Sequence, residues 1–376
     1  MDFGLSDEQE QLQRSAREFL ARECPPAFVR EVMRDDDGFP RGFYEKIAAL
    51  GWTGLIVPAT FGGSGLALLD LAVLMEEVGR AVMPGPFFAS TLATLAVAHA
   101  GSAAQKKHWL PKLAAGEAVG TLAFLESNDR LDAAGITTRA KSARGVYRLG
   151  GTKLFVADAA TADVIVAAFR TSGKDASGVS LFLVPRDAPG LTLTALPTID
   201  QTRRVYEVAF DDVEVPAEAV LGKVGAGWPR LARVLAAAAV LLAADSLGGA
   251  QKCLEMAVEY SKVREQFGRP IGSFQAIKHI AAEIVSEIEP ARSLVWYAAY
   301  AYDGKPREAS RAASMAKARL SDVYMRAADR AVQMHGGIGF TWEHDMHLWF
   351  KRAKWNELAY GDATYHRELV AALGTW

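Results

Sequence analysis

Two short stretches hold the residues best placed to do chemistry. Residues 263–275 read VREQFGRPIGSFQ and residues 333–340 read QMHGGIGF. A helical pattern runs to Arg264 and is stopped by Gly268 and Pro270, which predicts a guanidinium in a last helical turn beside a tight turn. A cation held there suits a phosphate. The same cation would also be favourable against the helix dipole with no ligand present. Gly336, Gly337 and Gly339 can likewise be a plain loop between helices, or a place where backbone must come close to something. Order and spacing give the two stretches more weight together than singly. A helix leads to R-x-Q-F-G, a second helix opens F-Q-A-I-K-H, a long Ala-rich helix follows, and Q-x-H-G-G-x-G closes the series.

The elements that must position these residues follow from composition and period. The chain has 376 residues, half of them hydrophobic and 23% charged, with a formal net charge of -2. Such a length implies two or three domains and a large core. Near-neutral charge leaves no general footprint for nucleic acid or an anionic membrane. Cys24 and Cys253 are too few for a disulfide framework, which points to a reducing compartment. The opening MDFGLSDEQE is acidic and has neither a basic nor an apolar leader region, so a cytoplasmic location is expected. The longest apolar run, residues 234–244, is shorter than the roughly 18 to 20 residues that span a bilayer, and predicts a buried helix.

Residues 1–118 read as an amino-terminal all-α domain. Ser6 with Gln9 offers a capping box, and Leu12, Ala16, Phe19 and Leu20 recur at helical spacing. The run Arg34, Asp35, Asp36 and Asp37 reads as a solvated loop, since adjacent carboxylates mostly point apart. From 119 to 227 the period changes. Runs at 121–125, 164–169, 179–184, 191–196 and 205–210 are rich in strand formers and separated by Gly, Asp, Ser and Pro, which predicts a middle antiparallel β-barrel or sandwich. Residues 228–376 return to helix as a carboxy-terminal four-helix bundle. The predicted class is therefore α+β and multidomain. No G-x-G-x-x-G follows a strand and no P-loop is present, which removes the common nucleotide folds. His344 and His347, with Asp345 between them, stand at i, i+3 spacing. They read as surface or interface residues rather than metal ligands, because one short helix supplies too few converging groups.

The series R-x-Q-F-G, F-Q-A-I-K-H and Q-x-H-G-G-x-G resembles the carboxy-terminal domain of the acyl-CoA dehydrogenase family of flavoproteins. The segments EEVGR (76–80) and QKKHWLPKLAAGE (105–117) resemble its amino-terminal domain, so the resemblance covers most of the chain. It implies FAD as cofactor, an acyl-CoA substrate, tetrameric assembly and an electron-transfer flavoprotein as acceptor. In that chemistry a carboxylate removes the α-proton while the flavin takes a hydride from the β-carbon. The resemblance assigns Arg264 and Gln266 to the FAD pyrophosphate and adenosine end across a subunit boundary. It adds Phe274, Gln275, Gln333, Gly336, Gly337, Asp362 and Thr364 to that half of the site, and places Gly361 beside the substrate.

The other half departs from the family. Where the family has T-E-P-x-x-G-S-D, this chain has LESNDRLD (125–132); where it has W-I-T over the flavin ring, this chain has Phe155, Val156 and Ala157. Phe155 can stack, but Ala157 has no hydroxyl to offer. Tyr360 occupies the usual glutamate position, and the family's alternative base position falls near Ala238. A tyrosine of pKa about 10 is a poor base for this step. Asp362 is the substitute within reach, and Glu357 reads as a surface charge. Two readings follow: a complete homotetrameric dehydrogenase with Asp362 or another group as base, or the base-lacking subunit of a hetero-oligomer that contributes to its partner's FAD. The second accounts for the family-like residues clustering on the cross-boundary half. Mixed tetramers known in the family act in bacterial steroid side-chain shortening, which makes a bulky or steroid-derived acyl group the expected substrate. A flavin-dependent monooxygenase-like relative and a non-catalytic scaffold are the readings of other classes.

Overall fold

A computed structural model describes residues 4–36, 38–143 and 145–374. Asp37, part of the acidic run discussed above, and the first three residues lie outside the described residues. The chain order is α1 (Asp7–Glu23), α2 (Pro26–Arg34), α3 (Arg41–Ala49), α4 (Leu68–Arg80), α5 (Phe87–Ala100) and α6 (Ala103–Ala114). Seven strands follow: β1 (Gly120–Ala123), β2 (Arg139–Ala143), β3 (Val146–Ala157), β4 (Val164–Arg170), β5 (Val179–Pro185), β6 (Leu191–Leu196) and β7 (Val205–Pro216). The chain then runs α7 (Gly227–Val263), β8 (Glu265–Gln266), β9 (Arg269–Pro270), α8 (Gln275–Gly304), α9 (Pro306–His335), α10 (Met346–Leu358) and α11 (Ala363–Ala372). Helices, a middle sheet and helices again is the predicted order. Ser6 and Gln9 close the expected capping box at α1, Gln9 N donating to Ser6 Oγ at 3.3 Å and Ser6 N to Gln9 Oε1 at 3.0 Å.

Contacts divide the chain into two units. One holds residues up to Glu31, Ala67–Met83 and everything from Ala236; the other holds Val32–Leu66 and Pro84–Leu235.

The second unit is built on the sheet, in the order β1-β4-β2-β3-β7-β6 with β5 on β4. The expected all-antiparallel arrangement needs correction, because β1 and β2 both pair with β4 in parallel. Parallel neighbours need a crossover connection, and the β2–β3 hairpin supplies it between β1 and β4. Period 2 does not reveal β2 and β3, since β2 is exposed at all but Ala140 and β3 carries two glycines and two cations. The core is mainly aliphatic, with Phe169, Phe182, Tyr206 and Phe210 set among valines and alanines. Phe169 meets Phe182 edge-on at 6.1 Å and Phe210 at 5.0 Å, which adds directional packing to simple burial.

In the first unit α4 and α7 cross with no room for side chains between them. A Cβ on Gly248 would stand 1.7 Å from the Glu76 carbonyl oxygen, and one on Gly79 would stand 1.9 Å from that of Asp245. Glycine is what permits the approach. Along α7, Ala237, Ala238, Val240, Leu241 and Leu242 are fully buried. Burying each of the larger ones contributes about 1.5–3 kcal/mol. The helix as a whole is longer than the 234–244 run implied, and by length and composition it could cross a bilayer. Its apolar window is nonetheless mostly buried inside the chain, as a soluble core helix would be.

Candidate active site

The hairpin after α7 is built by sequence-local rules. Arg264 lies one residue past the helix rather than in its last turn; its N–H still donates to the Tyr260 carbonyl at 2.9 Å, while its own carbonyl accepts from Ile271 N at 2.8 Å. Gly268 and Pro270, expected as stop signals, instead belong to a tight two-stranded ribbon. Phe267 and Gly268 have φ of 55° and 75°, the paired left-handed turn that matches strand twist. A bulky residue in that conformation is strained, and it leaves the Phe267 ring 92% exposed.

Arg264, Gln266 and Gln275 are all exposed. No ion pair or side-chain hydrogen bond engages the Arg264 guanidinium among the described residues. Phe274, just before α8, is half-buried, with the Phe267 ring edge-on at 6.1 Å and the Arg269 guanidinium 4.2 Å over its face. Gln333 is exposed in the last turn of α9. Gly336 has φ of +65°, and a Cβ on it or on Gly337 would meet nothing within 4 Å. These glycines therefore border open space, where the backbone can be approached.

A stack of rings anchors this loop. His335 lies on Tyr260 at 4.6 Å and on His344 at 4.5 Å. His347 is buried, which corrects the surface reading for that residue: its Nε2 faces Arg30 Nη2 at 3.2 Å, and Arg30 also binds Asp345 at 2.8 Å.

In the sheet unit, Phe155 has φ of 52° at an irregularity of the β3–β7 ladder and stands 60% exposed. Val156 and Ala157 are buried, and the Ala157 carbonyl accepts from Thr121 Oγ1 at 2.5 Å. Ala157 contributes no side-chain donor. The LESNDRLD stretch holds a residue that the spacing did not single out. Glu126 is buried and accepts from both backbone N–H and hydroxyl groups of Thr137 and Thr138, and from Lys153 Nζ at 2.7 Å. Lys153 itself is wholly buried. Desolvation lowers its ammonium to about 8, opposed by the Glu126 charge. Desolvation raises the Glu126 carboxyl, but Lys153 and the threonine donors outweigh it and hold it below the usual range.

The α10–α11 corner carries the remaining candidates. Tyr360 and Gly361 have φ of 59° and 100°, two successive left-handed residues. Asp362 caps α11, its Oδ1 accepting from Tyr365 N at 2.8 Å. That explains the residue without catalysis and weakens it as a base. Thr364 is exposed in the first turn of α11, and Glu357 pairs with Lys354 at 2.5 Å. Ala238 is fully buried in α7 and offers no titrating group.

Burial gives this region an acid sensitivity. Desolvation pushes His366 from 6.5 to about 4, helped by the nearby Lys317 charge, and pushes His347 to about 4 likewise. Both are neutral in the folded chain at pH 7. Between the two values the unfolded chain takes up the protons first, so stability is complete above pH 6.5 and falls as pH drops toward 4. For His366 alone the slope approaches about 1.4 kcal/mol per pH unit. Thermal midpoints taken at pH 7 and pH 5 should separate by several degrees, and equal midpoints would contradict the assignment.

Family models for the acyl-CoA dehydrogenase N-terminal, middle and C-terminal domains match residues 6–117, 121–213 and 225–374. Acyl-CoA dehydrogenase IpdE2 of Mycobacterium tuberculosis is 34% identical over 92% of this chain and 91% of its own. The butyryl-CoA dehydrogenase structure from Megasphaera elsdenii superposes with a TM-score of 0.92 at 30% identity, covering 99% of both chains. A chain of a Tcur3481-Tcur3483 steroid ACAD variant gives 0.88 at 31%, covering 98% of this chain and 97% of that one. A chain of the ChsE4-ChsE5 complex from Mycobacterium tuberculosis gives 0.89 at 27%, covering 99% and 98%.

Proposed function

Because this chain belongs to the acyl-CoA dehydrogenase family, whose members use FAD to dehydrogenate acyl-CoA thioesters, we propose that it is the base-lacking subunit of a hetero-oligomeric member. The observation that carries this reading is the corner at Tyr360. A phenol stands where the family places its carboxylate, and the neighbouring Asp362 carboxylate is committed to capping α11.

The residues fit one half of a flavin site and not the other. Arg264 is an exposed cation with no ion pair among the described residues, and Gly336 and Gly337 leave backbone open, a donor set suited to an anionic pyrophosphate. Gln266, Phe274, Gln275, Gln333 and Thr364 would complete that half. FAD, when bound, supplies the hydride acceptor; Arg264 and its neighbours would hold and orient its phosphate end for a partner chain that carries the proton-abstracting carboxylate. Phe155 offers a ring face, while Ala157 has no hydroxyl to donate beside it. The exposed apolar side chains of Val263, Phe267, Phe340 and Trp342 lie in or next to the same two loops, which favours their being covered in an assembly.

A mixed assembly is supported by the similarity to a chain of the ChsE4-ChsE5 complex, and a bulky, steroid-type acyl group by the similarity to the steroid ACAD. The expected electron acceptor is an electron-transfer flavoprotein.

Flavin content per chain tests the reading. The chain purified alone should carry little FAD, and a complex with a dehydrogenase-like partner should carry about one per pair. Arg264→Ala in that complex removes charge-assisted bonds worth about 1.5–3 kcal/mol, so FAD affinity should fall roughly 10- to 100-fold. One FAD per lone chain, bleached by acyl-CoA, would instead identify a complete homotetrameric enzyme.

A further inference from the structure

The α10–α11 corner is held from behind by two groups that the chemistry above does not use. Lys317, in the middle of α9, is buried to 1% exposure. Its Nζ donates to the Gly361 carbonyl at 2.7 Å, to the Glu357 carbonyl at 3.1 Å and to Ser321 Oγ at 3.2 Å. Ser321 Oγ can accept because its own proton goes to the Lys317 carbonyl at 2.8 Å. An ammonium has three N–H bonds, so all three are used. Glu357 lies in the last turn of α10, where carbonyls have no helical partner, and a lysine is a suitable group to satisfy them.

The adjacent carbonyl is held as well. His366 Nε2 is 3.0 Å from the Tyr360 oxygen, and its Nδ1 is 3.2 Å from Ser314 Oγ. A carbonyl only accepts, so Nε2 carries the proton, and the neutral ring then accepts from Ser314 at Nδ1. Tyr360 and Gly361 are the two left-handed residues of the corner. A non-glycine residue persists there only where its surroundings over-determine the backbone. Gly361 cannot be replaced without conflict, since a Cβ would come 2.4 Å from the Tyr365 ring.

We propose that Lys317 and His366 form a positioning clamp, holding the Tyr360 and Gly361 carbonyls so that this corner keeps a single backbone conformation and presents Tyr360 in one fixed direction. That Tyr360 thereby forms a wall of an acyl-CoA pocket rests on the functional reading above; the clamp itself does not depend on it.

The groups facing Lys317 are Glu357 of α10, and Asp362 and His366 of α11. Desolvation brings Lys317 down to about 7, opposed by Asp362 and Glu357. His366 is already neutral in that range. Loss of the Lys317 proton leaves two N–H bonds for three acceptors, so the clamp should loosen as pH rises through 7.

Hydrogen exchange of the full-length protein, in whatever assembly it forms, reads this directly. The amides of Ala359, Tyr365 and His366 report on the corner, and β4 and β5 serve as the reference. In Lys317→Met, exchange across residues 358–366 should rise about 10-fold or more with β4 and β5 changed less than about 2-fold, as expected of a local opening. After correction for the intrinsic pH dependence of exchange, the wild-type corner should also exchange faster at pH 8.5 than at pH 6.5, and Lys317→Met should not show that rise. His366→Leu removes the other arm and gives an independent measurement should Lys317→Met not fold. A uniform rise over the whole chain, or an unchanged corner in the variants, would overturn the clamp. A flat wild-type profile would overturn it too. Failure of the base-lacking reading would appear separately, in flavin content, and would leave these exchange rates untouched.

Discussion

Asp245→Ala should lower the thermal midpoint by about 10 °C, or prevent folding, because it strands a buried guanidinium at a cost of roughly 3–5 kcal/mol. Asp245 and Arg352 are both fully buried and pair at 3.2 Å. Asn356 donates to the same carboxylate at 2.7 Å, and Arg352 also donates to the Met83 carbonyl at 3.2 Å. Neither side chain has any solvent exposure, so the cation left behind would be cut off from bulk water. A penalty of that size is a large fraction of the total stability of an ordinary protein. Adding Arg352→Met to Asp245→Ala should recover much of the loss, since removing both charges costs far less than orphaning one. Calorimetry of the two variants decides the matter: a single substitution that shifts the midpoint by less than about 2 °C would mean the pair is not desolvated as described.

Glu126→Ala should be nearly as damaging to the sheet unit, by roughly 3–5 kcal/mol. One carboxylate there satisfies the N–H and hydroxyl groups of both Thr137 and Thr138 and is the counter-charge of the fully buried Lys153. Without it the buried Lys153 ammonium and the part-buried threonine donors lose their acceptor at once. The effect should spread along β3 to Phe155, whose left-handed backbone lies two residues from Lys153. Glu126→Gln should be milder, since an amide oxygen keeps part of the acceptor role. The second substitution Lys153→Met should restore stability to Glu126→Ala, and failure to do so would show that the threonine bonds, rather than the charge, dominate.

The two effects share a feature that bears on how much can be read from residues alone. Asp245 and Arg352 are more than a hundred positions apart, and nothing in either neighbourhood announces the other. Glu126 lies in a stretch legible mainly as a departure from the family pattern. Its function as an anchor becomes visible only when Lys153 and the two threonines are brought to it. The same holds for Lys317, an apparently ordinary lysine on an Ala-rich helix that serves the corner at Tyr360 and Gly361.

What residue order alone determined is local and repetitive. Helical spacing, the Ser6 capping box and the five strand runs follow from backbone geometry and from which face must be apolar, and they specify helices, sheet and helices in that order. The R-x-Q-F-G and H-G-G-x-G stretches were legible for a related reason: a tight turn and an approachable backbone demand particular residue types at particular spacings. The polar, glycine-bearing strands β2 and β3, the parallel pairings on β4, the left-handed Phe155 and Tyr360, and the partners of each buried charge were decided only by the tertiary structure. Those features depend on desolvation and on which distant groups meet, and desolvation energies exist only once the chain has closed around them.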